Sequence, residues 1–366
     1  MHKTASNTIL ICPLNWGLGH ATRDIPIIRR LADKGYKIII ATQTPIKEII
    51  DEAVPGLCYE YFPGPKITYS KSKFLVLKLI SQVPLLIKWI KKEKAIISSL
   101  VKKYDPCLII SDNRYGAYHP KVHSIIITHQ LMIKLPFLLK WAEFLAHKII
   151  SNLIHKFDEC WIPDFNKEYS LAGDLVHLYS LPKHAKLIGP LSRFMDDEKT
   201  KEIKHTQYNC LAIISGPEPQ KTILKDTLIK TLRNNRIKSL FLTGNPHLKS
   251  EKRLTVDNFT TLLPHLNQDK LKQLISSTPL IIARSGYTTI MDMYYLNKKA
   301  ILIPTPGQTE QNYLAKHNKK RHICLSQNKL ADLKINLNEW SQLLKPLSHQ
   351  KENKLLQDAI DKLKPY

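Results

Sequence analysis

Twice along its 366 residues the chain runs through the same grammar, in which short stretches dense in isoleucine, leucine and valine alternate with longer amphipathic ones. The first pass reads TILIC, YKIIIAT, CLIIS and SIIIT, then ECWIP and AKLIG. A hydrophilic break, RFMDDEKTKEIKHTQYN (193–209), intervenes, and the runs resume as CLAIIS, KSLFLTG, NFTTLLP, PLIIA, KAILIP and RHICLS. Strands apolar on both faces belong in a parallel sheet covered by helices on either side. The expectation is therefore an α/β chain of two doubly wound, Rossmann-like domains joined near Pro190, covering 1–190 and 191–345. The length agrees, because single cores rarely grow past about 250 residues. Ligands are expected at the carboxyl ends of the strands, in a cleft between the domains. The tail HQKENKLLQDAIDKLKPY, within 346–366, reads as a last amphipathic helix crossing back to the N-terminal domain.

The formal charge of +24 asks for a cause, and nucleic acid, anionic membrane and acidic substrates all qualify, as does a plain lysine bias. The lysines gather in two segments, KITYSKSKFLVLKLISQVPLLIKWIKKEKAIISSLVKK (66–103) and LMIKLPFLLKWAEFLAHKIISNLIHKF (131–157). Basic amphipathic helices with an interfacial tryptophan resemble membrane-surface helices, although such faces also pack on a core with their lysines in water. No run approaches the roughly 18 uncharged apolar residues that a spanning helix needs. The start, MHKTASNTILICPL, is a poor secretory signal, and the six scattered cysteines suggest neither disulfides nor zinc. The chain is expected in the cytoplasm, peripheral to the inner face of the membrane.

Between the first strand and its helix lies LNWGLGHATRD (14–24). A dinucleotide site would want a third glycine where Thr22 stands and an acid at the end of the second strand, which reads Ala41-Thr42-Gln43. Both fail, and no GKS or GKT makes it a P-loop. What remains is an open turn, with Asn15, Gly17 and Gly19, that lets another molecule approach a helix start. His20 enters that helix, where the dipole disfavours an added positive charge, so a neutral imidazole is a candidate general base. A histidine packed beneath the turn is the plainer alternative. Asp112 (in IISDNRYG) and His129 (in IIITHQ) both follow apolar strands and are candidate partners or rivals of His20; Asp112 also fits a turn-forming Asp-Asn pair.

The second half offers ARSGYTTIMD (283–292) after the strand PLIIA. Ser285, Gly286, Thr288 and Thr289 bring amides and hydroxyls to a helix N-terminus, a site for a diphosphate or simply a well-capped turn. Arg284 either adds charge there or braces the turn. Asp292 is placed to accept from ribose hydroxyls. In PTPGQTEQNYLA (304–315), Glu310 and Gln311 can fork onto neighbouring hydroxyls of a sugar, or cap a helix. SGPEPQKT, with Ser215 and Gly216, supplies a third loop at a strand's carboxyl end.

In this order the motifs resemble GT-B glycosyltransferases of the type that forms lipid II or monogalactosyldiacylglycerol, that is, family 28. NWGLGHATRD is similar to the family's glycine-rich first loop ending in histidine, LIGPLSR to its linker, and ARSGYTTIMD with PTPGQTEQNYLA to its donor signature. Trp16 and Leu18 stand where the lipid II enzyme has more glycine. The resemblance implies inverting, metal-independent transfer from a nucleoside-diphosphate sugar, most readily a UDP-sugar, to a lipid-linked or glycan hydroxyl. It needs no cofactor beyond that co-substrate, and no metal-ligand pattern is present. It further implies that Gly286, Thr288 and Thr289 hold the diphosphate, that Asp292 replaces a ribose-binding glutamate, and that Glu310 and Gln311 read the sugar. Leu263 and His265, in LLPHLNQDKL, lie where the base is gripped. Two rivals are a non-hydrolysing sugar-nucleotide epimerase on the same fold and a basic nucleic-acid binder. The amphipathic segments weigh against the first, and the lack of interleaved aromatics or a known module against the second.

Overall fold

The computed structural model describes residues 6–64, 83–195, 206–244, 253–344 and 354–363. They divide into two compact units, the first reaching Leu191 and including the C-terminal helix Leu355–Asp361, the second beginning at Ser192. Parts of the lysine-rich segment 66–103, of the break 193–209 and of the tail lie outside the described residues.

In the first unit seven strands are described: β1 (Thr8–Cys12), β2 (Lys37–Thr42), β3 (Cys58–Tyr61), β4 (Leu108–Asp112), β5 (His123–Ile127), β6 (Glu159–Ile162) and β7 (Ala185–Leu187). They form one parallel sheet in the order β3-β2-β1-β4-β5-β6-β7. The chain thus winds outward from β1 to β3, then returns to the middle and winds the other way from β4. Ile9 of β1 stands between Ile38 of β2 and Leu108 of β4, and all three are buried. Buried on both faces, such strands must be continuous in Ile, Leu and Val.

The second unit repeats the scheme with β8 (Cys210–Ile213), β9 (Ser239–Leu242), β10 (Leu254–Thr255), β11 (Thr260–Leu263), β12 (Leu280–Ala283), β13 (Ile301–Leu302) and β14 (Ile323–Cys324). Their order is β10-β11-β9-β8-β12-β13-β14, parallel except for the antiparallel edge strand β10. Both units are Rossmann-like. The two strands that no apolar run announces, β3 and β10, are sheet edges. β3 reads CYEY and is half exposed, so it never needed an apolar sequence.

The helix Leu355–Asp361 buries Leu356, Ala359 and Ile360 in the first unit, and Lys34 Nζ meets Asp361 Oδ1 at 2.6 Å. That exposed ion pair adds little; the apolar face anchors the helix.

Beneath the carboxyl ends of β1 and β4 lies a buried ion pair. Arg114 Nε donates to Glu93 Oε1 at 3.0 Å, and its Nη1 donates to the carbonyls of Pro13 at 3.4 Å and Phe62 at 3.1 Å. Its guanidinium lies 3.5 Å from the Phe62 ring centroid. Glu93 also accepts the Gly116 amide at 3.1 Å, and a Cβ at Gly116 would stand 2.6 Å from the Glu93 Cβ, which no real contact allows. Glu93→Ala leaves the Arg114 charge buried without its carboxylate, and the expected loss is about 3 to 5 kcal/mol of unfolding free energy. Urea titration followed by circular dichroism checks it; a loss under about 1 kcal/mol would show the three carbonyl and ring contacts to suffice.

Candidate active site

In each sheet the winding direction reverses between two neighbouring strands, and the loops there part to leave a crevice at the carboxyl ends. In the first unit these strands are β1 and β4, in the second β8 and β12. Most of the sequence-derived site residues lie at or beside these two points, whereas Leu263 and His265 follow β11, two strands from β8.

The helix Leu18–Asp33 begins directly after the β1 turn, with His20 as its third residue. Asp112 is the last residue of β4, and His129 follows β5 by two. His20 Nδ1 and Asp112 Oδ2 are 2.7 Å apart. Arg23, one turn along the helix and 1% exposed, donates through Nε to Asp112 Oδ2 at 3.1 Å and through Nη2 to Asp112 Oδ1. Its Nη1 lies 3.2 Å from His129 Nδ1. Since a guanidinium only donates, His129 Nδ1 is an acceptor and that ring carries its proton on Nε2. The carboxylate calls for the opposite tautomer in His20, with the proton on Nδ1 and the lone pair on Nε2.

Burial pulls the His20 pKa below its ordinary value, with the Asp112 carboxylate opposing. Burial alone would push Asp112 up, but the charges of Arg23 and His20 outweigh it and hold the carboxyl down to about 2. The side chain of His20 is 18% exposed, so a buried, fixed carboxylate orients an imidazole that still reaches solvent. That is the arrangement of a general base with its orienting group.

Asp24 belongs to the same face of the helix and is buried, with neither carboxyl oxygen hydrogen-bonded among the described residues. Burial and the nearby Asp112 charge push its pKa well above the usual carboxylate range. Burial and the Asp112 charge thus favour its neutral form, with the Arg23 charge opposing. Sequence reasoning passed over Arg23 and Asp24. Their spacing from His20, three and four residues, put them on one helical face and was the available signal.

The first loop is braced from behind. Asn15 Nδ2 donates to the Phe62 carbonyl at 3.2 Å, while its Oδ1 accepts from Thr42 Oγ1 at 3.1 Å. Thr42, standing where a dinucleotide site would place its acid, thus fixes the turn instead. A Cβ at Gly17 would meet nothing within 4 Å, so the helix start faces open space. Gly19 lies within the first turn, its carbonyl accepting from Thr22 Oγ1 at 3.1 Å. Asn113 takes φ 54° after Asp112, and its Oδ1 accepts from Thr128 Oγ1 at 3.1 Å. The Asp-Asn turn and the Asp112 contact with His20 coexist.

In the second unit Gly286 caps the helix Tyr287–Tyr295 without a capping side chain. Ser285 donates instead to the Gln311 carbonyl at 2.9 Å, and Gln311 Oε1 accepts from the Thr305 amide at 2.9 Å. Ser285 and Gln311 therefore tie the loop after β12 to the loop after β13. Thr288 and Thr289 are half-buried in the first turn, and Glu310 is half-buried at the start of the helix Thr309–His317. Arg284 is buried and donates to the carbonyls of Pro304 at 3.1 Å, Ile303 at 3.4 Å and Gln220 at 2.9 Å. Burial lowers its pKa to about 10, which leaves it charged at neutral pH, and it braces the turn. Asp292 accepts from Ser192 Oγ at 2.6 Å, and burial pushes its carboxyl up against the pull of Arg193 and Ser192. Leu263 ends β11 buried, its carbonyl taken by the Thr243 amide at 2.9 Å; half-buried His265 lies in the loop beyond. Ser215 and Gly216 are exposed in the loop after β8, and Gly216 takes φ 106°, which favours glycine. A Cβ at Gly216 would stand 3.8 Å from the hydroxyl of Thr305, which is buried with no hydrogen-bond partner among the described residues. Thr305, too, was not anticipated; its place between two prolines concealed it.

Residues 219–363 match the Glycosyltransferase family 28 C-terminal domain. The chain is a glycosyltransferase. S. aureus MnaA, solved with UDP, resembles it with a TM-score of 0.57 at 9% identity, over 98% of this chain and 95% of that one. The glycosyltransferase SnogD from Streptomyces nogalater gives 0.53 at 11%, over 98% of each. The spinosyn rhamnosyltransferase SpnG, complexed with thymidine diphosphate, gives 0.54 at 12%, over 97% of this chain and all of its own. At such identities the likeness speaks for the fold, which is GT-B. No curated protein matches the chain by sequence.

With His20 as the general base proposed below, its surroundings set the pH dependence of the transfer. A base held below its ordinary pKa is deprotonated at neutral pH, so kcat/KM is level there and falls on the acid side, with a midpoint under about 6.5. Asp112→Asn removes the carboxylate that raises His20, so the midpoint moves to still lower pH while the plateau drops. His20→Ala costs about 10²- to 10⁴-fold in kcat. Rate profiles of the three proteins check this, and a profile of Asp112→Asn displaced upward would remove Asp112 from the role.

Proposed function

We propose that this glycosyltransferase is an inverting enzyme that moves a sugar from a nucleoside diphosphate, UDP being favoured, to a hydroxyl of a lipid-linked or glycan acceptor. The acceptor is met at the inner face of the cytoplasmic membrane. The pairing of His20 Nδ1 with Asp112 at 2.7 Å, held by a buried arginine, carries the reading. It leaves one imidazole nitrogen with a lone pair, fixed in direction, beside an open turn.

The acceptor oxygen attacks the anomeric carbon as His20 Nε2 takes its proton. The new carbon–oxygen bond forms on the face opposite the breaking bond to the diphosphate, and the electron pair departs with the diphosphate. Asp112 remains a carboxylate and stabilises the imidazolium that forms. Charge on the leaving group meets the amides of the helix Tyr287–Tyr295, where Gly286, Thr288 and Thr289 hold the diphosphate without a metal. Asp292 and Glu310 take ribose and sugar hydroxyls. Arg284, Ser285 and Gln311 act from behind by fixing the loops, His265 lies beside the base, and Ser215 and Gly216 close the loop after β8. His129 orients Arg23. The nucleoside diphosphates in the MnaA and SpnG structures support a donor of this class.

Calorimetry with UDP, GDP and dTDP tests the donor assignment. One of the three binds in the micromolar range, and Glu310→Ala leaves that affinity within about threefold while weakening the cognate sugar nucleotide about tenfold, the worth of one hydrogen bond to a charged group. Binding of none of them would overturn the donor site.

A further inference from the structure

Both lysine-rich segments of the first unit have withdrawn their acids from the surface. Glu93 is the acid of the helix Val83–Tyr104, and it is buried against Arg114 and the Gly116 amide. Glu143 is the acid of the span 131–157, and it is buried with Oε1 accepting the Leu135 amide at 2.9 Å. Each glutamate faces inward, so the exposed charges of both spans are cationic. Lys88, Lys91, Lys92, Lys140, Lys148 and Lys156 all lie on the outside. Lys94 lies 4.4 Å from the ring centroid of Tyr118, whose ring in turn meets that of Phe157, so the two spans border one another.

On the second span the apolar side chains also face out. Phe137, Leu138 and Trp141, on the 3-10 turn Phe137–Ala142, are 89%, 83% and 76% exposed. The stripe continues along the helix Glu143–Ile154 through Phe144, Leu145 and Ile149, all exposed, while Glu143, Ile150 and Ile154 form the inward face. Three bulky apolar residues standing nearly free in water on one turn are not what a solvated helix presents. An apolar stripe edged by lysines, with no acid between, suits the boundary between headgroups and acyl chains of an anionic bilayer.

We propose that the segment Phe137–Ile149 inserts as a wedge into an anionic membrane, with the lysines of both spans facing the lipid phosphates. This deepens the membrane reading above by naming the inserting residues, and it stands or falls apart from the donor and base assignments. Charge decides among occupants. A second copy would press one lysine-rich face against another on a chain of net charge +24. A nucleic acid would satisfy the lysines but leave Phe137 and Leu138 in water.

The full chain is mixed with vesicles of phosphatidylcholine, alone or with about 30 mol % phosphatidylglycerol, and bound protein is measured by sedimentation. Binding requires the anionic lipid. The triple variant Phe137→Ser, Leu138→Ser, Trp141→Ser weakens it by at least about tenfold, since the lost insertion is of three large apolar groups. Bromine-labelled acyl chains quench the wild-type fluorescence more than that of Trp141→Phe. The triple variant changes only exposed side chains, so its circular dichroism and its nucleoside-diphosphate binding stay those of the wild type. Equal binding by the triple variant would make the attachment purely electrostatic and overturn the wedge. A wild-type dimer that the triple variant dissolves, without vesicle binding by either, would assign the face to a second copy and overturn it too.

Discussion

Arg23 is the group on which the cluster of His20, Asp112 and His129 rests. A buried guanidinium is tolerable only where its charge is matched and its donors are used. Asp112 supplies the charge, and Asp112 and the His129 ring take donors. In return Arg23 keeps Asp112 ionised in a place where burial alone would protonate it. An ionised Asp112 selects the His20 tautomer with Nε2 bare. The second acid nearby, Asp24, is pushed toward its neutral form by burial and the Asp112 charge, with Arg23 opposing. The surroundings of His20 thus act on its pKa with known sign: burial, Arg23 and His129 lower it, and Asp112 raises it.

The second unit solves a different problem with the same kind of residue. Arg284, just after β12, is as buried as Arg114, just after β4, and the two strands hold equivalent places in their sheets. Arg114 is paired with a carboxylate, whereas Arg284 is held by the backbone carbonyls of three residues. A guanidinium held only by neutral carbonyls keeps its positive field, and that field stands behind the helix start at Gly286. An anion there meets a helix N-terminus with a fixed cation behind it. Among the described residues of the first unit, by contrast, the buried Arg23 and Arg114 each have a carboxylate partner.

How far this was legible in the sequence follows from burial. Twelve of the strands announced themselves because a parallel sheet covered on both faces leaves no choice but apolar runs. The edges β3 and β10 are under no such demand and were silent. His20, Asp112 and His129 were legible because each ends or follows an apolar run, and position after a strand aims a residue at the crevice. Their mutual geometry was not, since it depends on Arg23, whose place in HATRD looks like any surface arginine. In the second unit the motif was legible while the contacts within it were not. Nothing in the letters of ARSGYTTIMD tells that Ser285 serves the Gln311 carbonyl or that Asp292 takes Ser192, because both partners are distant in sequence.

Glu93 connects the two properties that define the first unit. Its inward turn pins Arg114, and Arg114 holds the Pro13 and Phe62 carbonyls that flank and brace the turn carrying Asn15. The same inward turn takes the acid of the helix Val83–Tyr104 off its surface and leaves Lys88, Lys91 and Lys92 exposed with no acid of their own helix beside them, while Lys103 pairs with Glu60 at 2.7 Å. Gly116 is the consequence in the backbone, since the Ile90 carbonyl and the Glu93 side chain fill the space where its side chain would be. A glutamate turned outward would expose the helix to sign-mixed solvation and loosen the loop beside His20 together. Surface charge and site geometry are therefore not independent in this unit, because one buried carboxylate sets both.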